Sequence, residues 1–165
     1  MRRTLMVLAL IAASCSPAPP QTAETPPAQE PTATVQHASV QACVAAAATH
    51  EQLWQCKGVV ATPCMDTPEG QTTAGMIDCN SREAQAWQGL LDAELTRLQA
   101  DDPTRKEPLA AANAAWRAWR DAECSYQAGE AEGGSLAGVI AAGCEADVTA
   151  DRVIASTWAD RAAAQ

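Results

Sequence analysis

The sequence predicts an all-α protein: a small disulfide-stapled helical bundle of about four helices, with an irregular cysteine-containing segment between the first two. Three observations predict it. Alanine is abundant and β-branched residues are sparse over residues 36–165, a balance that favours helix over sheet. Apolar residues there recur at spacings of three and four, as on one face of a helix. Six cysteines also lie in that region, an even number in a chain that opens with an export pattern, so three disulfides are expected.

The export pattern comes first. Arg2-Arg3 is a short cationic start, Leu5 to Ala13 a run of nine apolar residues, and Ala12-Ala13-Ser14 a set of small residues before Cys15. Nine residues are too few to cross a hydrocarbon core about 30 Å thick as a helix. Residues 1–14 therefore read as a signal peptide. Cys15 stands where a bacterial lipobox places the thiol that becomes diacylated, although Ala12 occupies the usual leucine position. Lipidation of Cys15 is the expectation, with plain cleavage at the same site as the alternative. Ser16 to Pro31 then holds six of the ten prolines. Such a stretch buries too little apolar surface to offset its ordering entropy, so residues 15–35 read as a tether. Sixteen residues of it at about 3.1 Å each would hold a domain roughly 50 Å from a membrane.

The helical domain is expected over residues 36–165. A first helix is read from about Val40 to Gln55, with Val44, Ala48 and Trp54 on it. Lys57 to Thr73, rich in Pro, Gly and Thr, is read as irregular. A second helix is placed from Asn80, with Asn80 as N-cap and Glu83 completing a capping box. Trp87, Leu91, Leu95 and Leu98 form its apolar stripe. A third opens near Asp102-Pro103, is disturbed at Pro108 and carries Leu109, Ala112, Trp116, Trp119 and Tyr126 to about Gln127. The fourth starts at Ser135 after Gly133-Gly134 and continues through Leu136, Val139, Ile140, Val148, Ile154 and Trp158. The tryptophans fall at helical spacing and are assigned to the core.

Fifteen pairings of six cysteines are possible, and position narrows them. Cys124 and Cys144 are each ten residues from Gly134, the turn between two antiparallel helices, so they should face each other. Cys64 and Cys79 likewise bracket Glu69-Gly70-Gln71, which leaves Cys43 with Cys56. No CxxC pair occurs, so a zinc site is not expected.

Formal net charge is −9, from 11 basic and 20 acidic residues, and becomes −11 once Arg2 and Arg3 leave with the signal peptide. That balance argues against nucleic acid and makes a cationic partner easier to approach. No Ser-His-Asp arrangement, phosphate cradle or zinc motif is found, and the two histidines, His37 and His50, show no partner in sequence. No catalytic residue, cofactor or metal is assigned.

Trp116-Arg117-Ala118-Trp119-Arg120-Asp121-Ala122-Glu123-Cys124, then Gly133-Gly134-Ser135, Cys144, Thr149 and Arg152, resemble the LprI-type lysozyme-inhibitor domain. Upstream, Thr72-Thr73-Ala74-Gly75-Met76-Ile77-Asp78-Cys79 with Glu83 and Trp87 resembles the same family's N-terminal segment, and the likeness spans about residues 60–155. The resemblance implies a small all-helical, disulfide-linked, exported or lipid-anchored domain that inhibits lysozyme by direct contact, in the periplasm or as an outer-membrane lipoprotein. The partner would be lysozyme or another cationic protein, with the membrane reached through the lipid anchor. An envelope scaffold lipoprotein that binds peptidoglycan or another envelope protein is the alternative. The turn Gly129 to Ser135 is the candidate contact, through Glu130, Glu132 and Ser135, while Gly133-Gly134 and a helix-capping Ser135 would explain the same residues structurally. Arg120 or Arg152 is expected to pair with Glu123 and hold the last two helices in register.

Overall fold

The computed structural model describes residues 30–131 and 133–164, with the backbone alone for residues 30–35. The expected signal peptide and lipidated Cys15, most of the tether, and Glu132 lie outside the described residues. Among the described residues there are six α-helices and no strand: α1 Glu30–Ala46, α2 His50–Trp54, α3 Ala61–Met65, α4 Thr73–Asp101, α5 Lys106–Gly129 and α6 Leu136–Ala163. None is long and apolar enough to cross a membrane.

The first expected helix is two helices. α1 begins at Glu30, within the stretch assigned to the tether, with Pro31 in its first turn where no intrahelical N–H is lost. It stops because Thr49 starts a new helix: Thr49 Oγ1 accepts from Gln52 N (3.2 Å), and Gln52 Oε1 accepts from Thr49 N (3.2 Å) and Ala48 N (2.6 Å). That reciprocal capping box turns the chain between Ala47 and Thr49. Arg161 of α6 then closes the end of α1, donating to Ala47 O (2.6 Å) and Val44 O (2.8 Å), a cation placed on the negative end of a helix.

The expected start of the second helix is corrected. α4 begins seven residues before Asn80, capped by Thr72, whose Oγ1 accepts from Gly75 N (3.0 Å). Asn80 lies inside α4, so it caps nothing. The segment before it is less irregular than expected, since α3 lies within it. Gly70 is required there, because a Cβ would stand 2.0 Å from Cys64 O as the loop folds back on α3. Nor does Pro108 disturb the third helix. A 3-10 turn, Pro103–Arg105, precedes α5, and Pro108 falls in the first turn of α5, where its missing N–H has no acceptor to lose.

The core lies where α4 and α6 pack along each other, closed by α1 on α4 and by α2 on α6. Val40, Leu53, Trp87, Leu91, Val153 and Ile154 are almost wholly buried in it. α5 packs mainly on α6 and buries only Cys124. All three disulfides pair as the positions of the cysteines predict: Cys43–Cys56, Cys64–Cys79 and Cys124–Cys144, with Cα separations of 5.7, 5.6 and 5.4 Å. Cys43–Cys56 joins α1 to the turn after α2, Cys64–Cys79 joins α3 to α4, and Cys124–Cys144 joins α5 to α6.

The assignment of the tryptophans to the core holds fully only for Trp87. Trp116 is half-buried, and Trp54, Trp119 and Trp158 are 42%, 54% and 38% exposed. Helical spacing places a side chain on a face; it does not say that another element covers that face.

Candidate functional site

Two groups of residues singled out in the sequence meet the structure differently. The first is the Trp-Arg-x-Trp-Arg-Asp-x-Glu-Cys stretch with Thr149 and Arg152. These residues knit three helices together. Arg120 Nη1 donates to Gln88 Oε1 of α4 (3.1 Å) and to Thr149 Oγ1 of α6 (3.4 Å), while its Nη2 reaches Asp121 (2.8 Å). Arg120 and Arg152 both lie against the ring of Trp116, at 5.2 and 4.3 Å from its centroid, so one indole meets two guanidinium groups. Arg117 pairs with Asp92 of α4 (3.0 Å). Burial holds the Arg152 guanidinium below its ordinary pKa; Glu94 opposes that shift and Arg117 adds to it.

The expected ion pair of Glu123 with Arg120 or Arg152 is therefore corrected. Glu123 accepts from Gln127 Nε2 (2.9 Å) one turn along its own helix, and pairs with neither arginine. Arg120 is drawn towards α4 and α6 by Gln88 and Thr149, and Arg152 rests on Trp116. Register between the last two helices comes instead from the Cys124–Cys144 bond and from the contact of Arg120 with the almost wholly buried Thr149.

Sequence reasoning missed the role of Glu83. It is 2% exposed and accepts four hydrogen bonds: from Gly58 N (3.0 Å), Val60 N (2.7 Å), Ala61 N (3.0 Å) and the Trp87 indole (2.6 Å). Val60 is the N-cap of α3 and has no side-chain cap of its own. A carboxylate from α4 thus caps α3, at the positive end of that short helix. One signal was present: Glu83 stands four residues before Trp87, on the apolar stripe itself, where an ordinary surface acid does not belong.

The second group is the turn between α5 and α6. Gly133 has φ +75°, the left-handed conformation a tight reversal needs. Ser135 stands at the N-cap of α6, but its hydroxyl makes no capping hydrogen bond, and it is exposed. Glu130 is exposed at the end of α5. The charge around this turn is one-sided: from Asp121 to Asp151 the chain holds seven acids and no Lys, Arg or His. Asp147 and Asp151 meet Lys57 across the α2–α3 connection, at 3.2 and 2.8 Å. Burial alone would lower the Lys57 pKa, but the hydrogen bonds and the negative charges of Asp151 and Asp147 together outweigh it and hold the ammonium above its usual 10.5. Glu130 and Glu145 have no such partner among the described residues.

The fold and this hairpin define a class of protein: a small helical domain stapled by disulfides, whose signature arginines and tryptophan serve the architecture and whose hairpin end is left acidic. The family follows from comparison. Residues 64–155 match the family model for lysozyme inhibitor LprI, which is more than half of the chain, and the chain belongs to that family. No curated protein and no solved structure shows significant similarity to it. Cys43 and Cys56, and so the first disulfide, lie before the matched region. The disulfides and the family together point to an exported protein.

Proposed function

We propose that this protein is an exported binding protein that inhibits lysozyme by direct protein–protein contact, held at the cell envelope by a lipid on Cys15. The observation that carries the reading is the acidity of the α5–α6 hairpin, where Glu130 and Glu145 pair with no cation among the described residues, in a member of a lysozyme-inhibitor family. Animal lysozymes are strongly basic, and a one-signed patch steers such a partner and favours its docking. The contact would be made by Glu130, Glu132 and Ser135. A glycosidase cleft is lined by two carboxylates, so the inhibitor's turn would fill it with hydroxyl and amide groups and set its own acids against the basic rim.

Turbidity of lysing cell walls tests this directly. The purified protein is expected to slow lysis at low salt, and the effect should weaken about tenfold or more between 0.01 and 0.15 M salt, as the screening length falls from about 30 to about 8 Å. Glu130→Ala with Glu132→Ala should weaken inhibition roughly fivefold to thirtyfold and flatten that salt dependence. Unchanged lysis with several lysozyme types would sink the inhibitor reading, and co-sedimentation with insoluble peptidoglycan would then favour an envelope scaffold. Mass spectrometry of the membrane fraction reports whether Cys15 carries lipid.

A further inference from the structure

We propose that the outward face of α5 from Trp119 to Tyr126, continuous with the Glu130 turn, is the main docking surface for the cationic protein; this rests on the inhibitor reading and extends its contact well beyond the turn. Trp119 is 54% and Tyr126 70% exposed. Seven residues apart on one helix, they differ by only about 20° in direction and lie about 10 Å apart along the axis. Glu123 falls between them on the same side, Glu130 follows one turn beyond Tyr126, and Leu136, also 54% exposed, stands across the turn.

These aromatics are not used by the fold. The other exposed tryptophans have partners: Trp54 donates its indole N–H to His50 (3.3 Å) and lies under Lys57 (4.5 Å), and the ring of Trp158 is 5.5 Å from that of His50. Trp119 and Tyr126 have no ring contact, cation or hydrogen bond among the described residues. The helix that presents them is nonetheless fixed, because Cys124 between them is buried and bonded to Cys144. A rigid backbone carrying exposed Trp and Tyr beside acids is the composition of an interface hot spot, where little ordering cost remains on binding.

Charge decides the occupant. Of the acids from Asp121 to Asp151, Glu123 and Glu130 stand on this side and pair with no cation among the described residues, while Arg120, the base that precedes the stretch, is turned inward onto Gln88, Thr149 and Asp121. A second copy of the chain docking through this face would set the same acids against each other, which is repulsive in a two-fold interface. A basic partner gains from both components, since its Lys and Arg can meet the carboxylates and the faces of the two rings.

The test uses the whole protein and a basic animal lysozyme, reading both the inhibition constant from turbidity and the dissociation constant from calorimetry. Trp119→Ala with Tyr126→Ala should raise both constants about thirtyfold to a hundredfold while leaving the salt dependence as steep as before, because no charge has changed. Trp54→Ala with Trp158→Ala, the same number of exposed rings on another patch, should change them less than about threefold. Equal potency of the Trp119/Tyr126 variant and the parent overturns the docking face and leaves the inhibitor reading standing. A parent that binds without inhibiting overturns that reading while the dissociation constants still judge the face; a parent that does neither overturns both. Self-association of the parent in sedimentation, abolished in the Trp119/Tyr126 variant, would assign the face to a second copy and overturn the proposal.

Discussion

Replacing Glu83 by alanine is expected to lower the unfolding free energy by about 4 kcal/mol, and the melting temperature by roughly 15 °C. The substitution removes one side chain but strands four donors: the N–H groups of Gly58, Val60 and Ala61, and the Trp87 indole. A buried donor left without an acceptor costs about 1–3 kcal/mol, and bonds to a charged acceptor are the stronger kind. Water entering the space offsets part of that sum, which is why the expected total falls well below four separate losses. Glu83→Gln keeps the shape and one accepting oxygen, but turns an amide N–H₂ towards N–H groups, so about half the loss should remain. Denaturant unfolding followed by far-ultraviolet circular dichroism measures both. A loss under about 1 kcal/mol for the alanine variant would show that the α3 cap contributes little.

Much of the architecture was legible because it is local. The cysteines that bond are 13, 15 and 20 residues apart; two of the pairs bracket a turn marked by glycine, so symmetry about each turn identifies them, and elimination leaves Cys43 with Cys56. The stripe Trp87, Leu91, Leu95 is buried as its period requires. What escaped is of longer range. Three of the four donors to Glu83 lie 22–25 residues away, in a segment with no periodicity, and Arg120 meets residues 29 and 32 positions distant. A carboxylate or guanidinium near in sequence looked like the natural partner, so Glu83 was given to a local cap and Arg120 to Glu123. The exposed tryptophans mark the same limit. In an alanine-rich helix the apolar face is broad, and only the packing of α5, mainly onto α6, decides that Trp116 turns inward while Trp119 does not.

The three disulfides supply the second large effect. Closing loops of this length stabilises by about 3 kcal/mol each in the chain-entropy model, and the logarithmic dependence makes loops of 13 and 20 residues differ by less than about 0.5 kcal/mol. Together they contribute on the order of 9 kcal/mol, against a total stability of about 5–15 kcal/mol for a domain. Reduction should therefore unfold most of the protein at 37 °C, read as loss of helical circular dichroism. The bridges are close to equal in loop entropy but not in what else holds the same elements. The Cys124–Cys144 link is backed by the long contact of α5 with α6, and the Cys43–Cys56 link by the burial of Val40 and Leu53. α3 is a single short helix tied to α4 by Cys64–Cys79 and by Glu83, with only Val60 and Ala61 buried at its start. Removing Cys64–Cys79 by paired serine substitutions should leave the amides of residues 57–72 protected by Glu83. Adding Glu83→Ala should then bring their hydrogen exchange near the rate of an unstructured chain while α4 and α6 stay protected. If those amides keep their protection in the combined variant, α3 is held by something other than these two ties, and the capping role assigned to Glu83 fails with them.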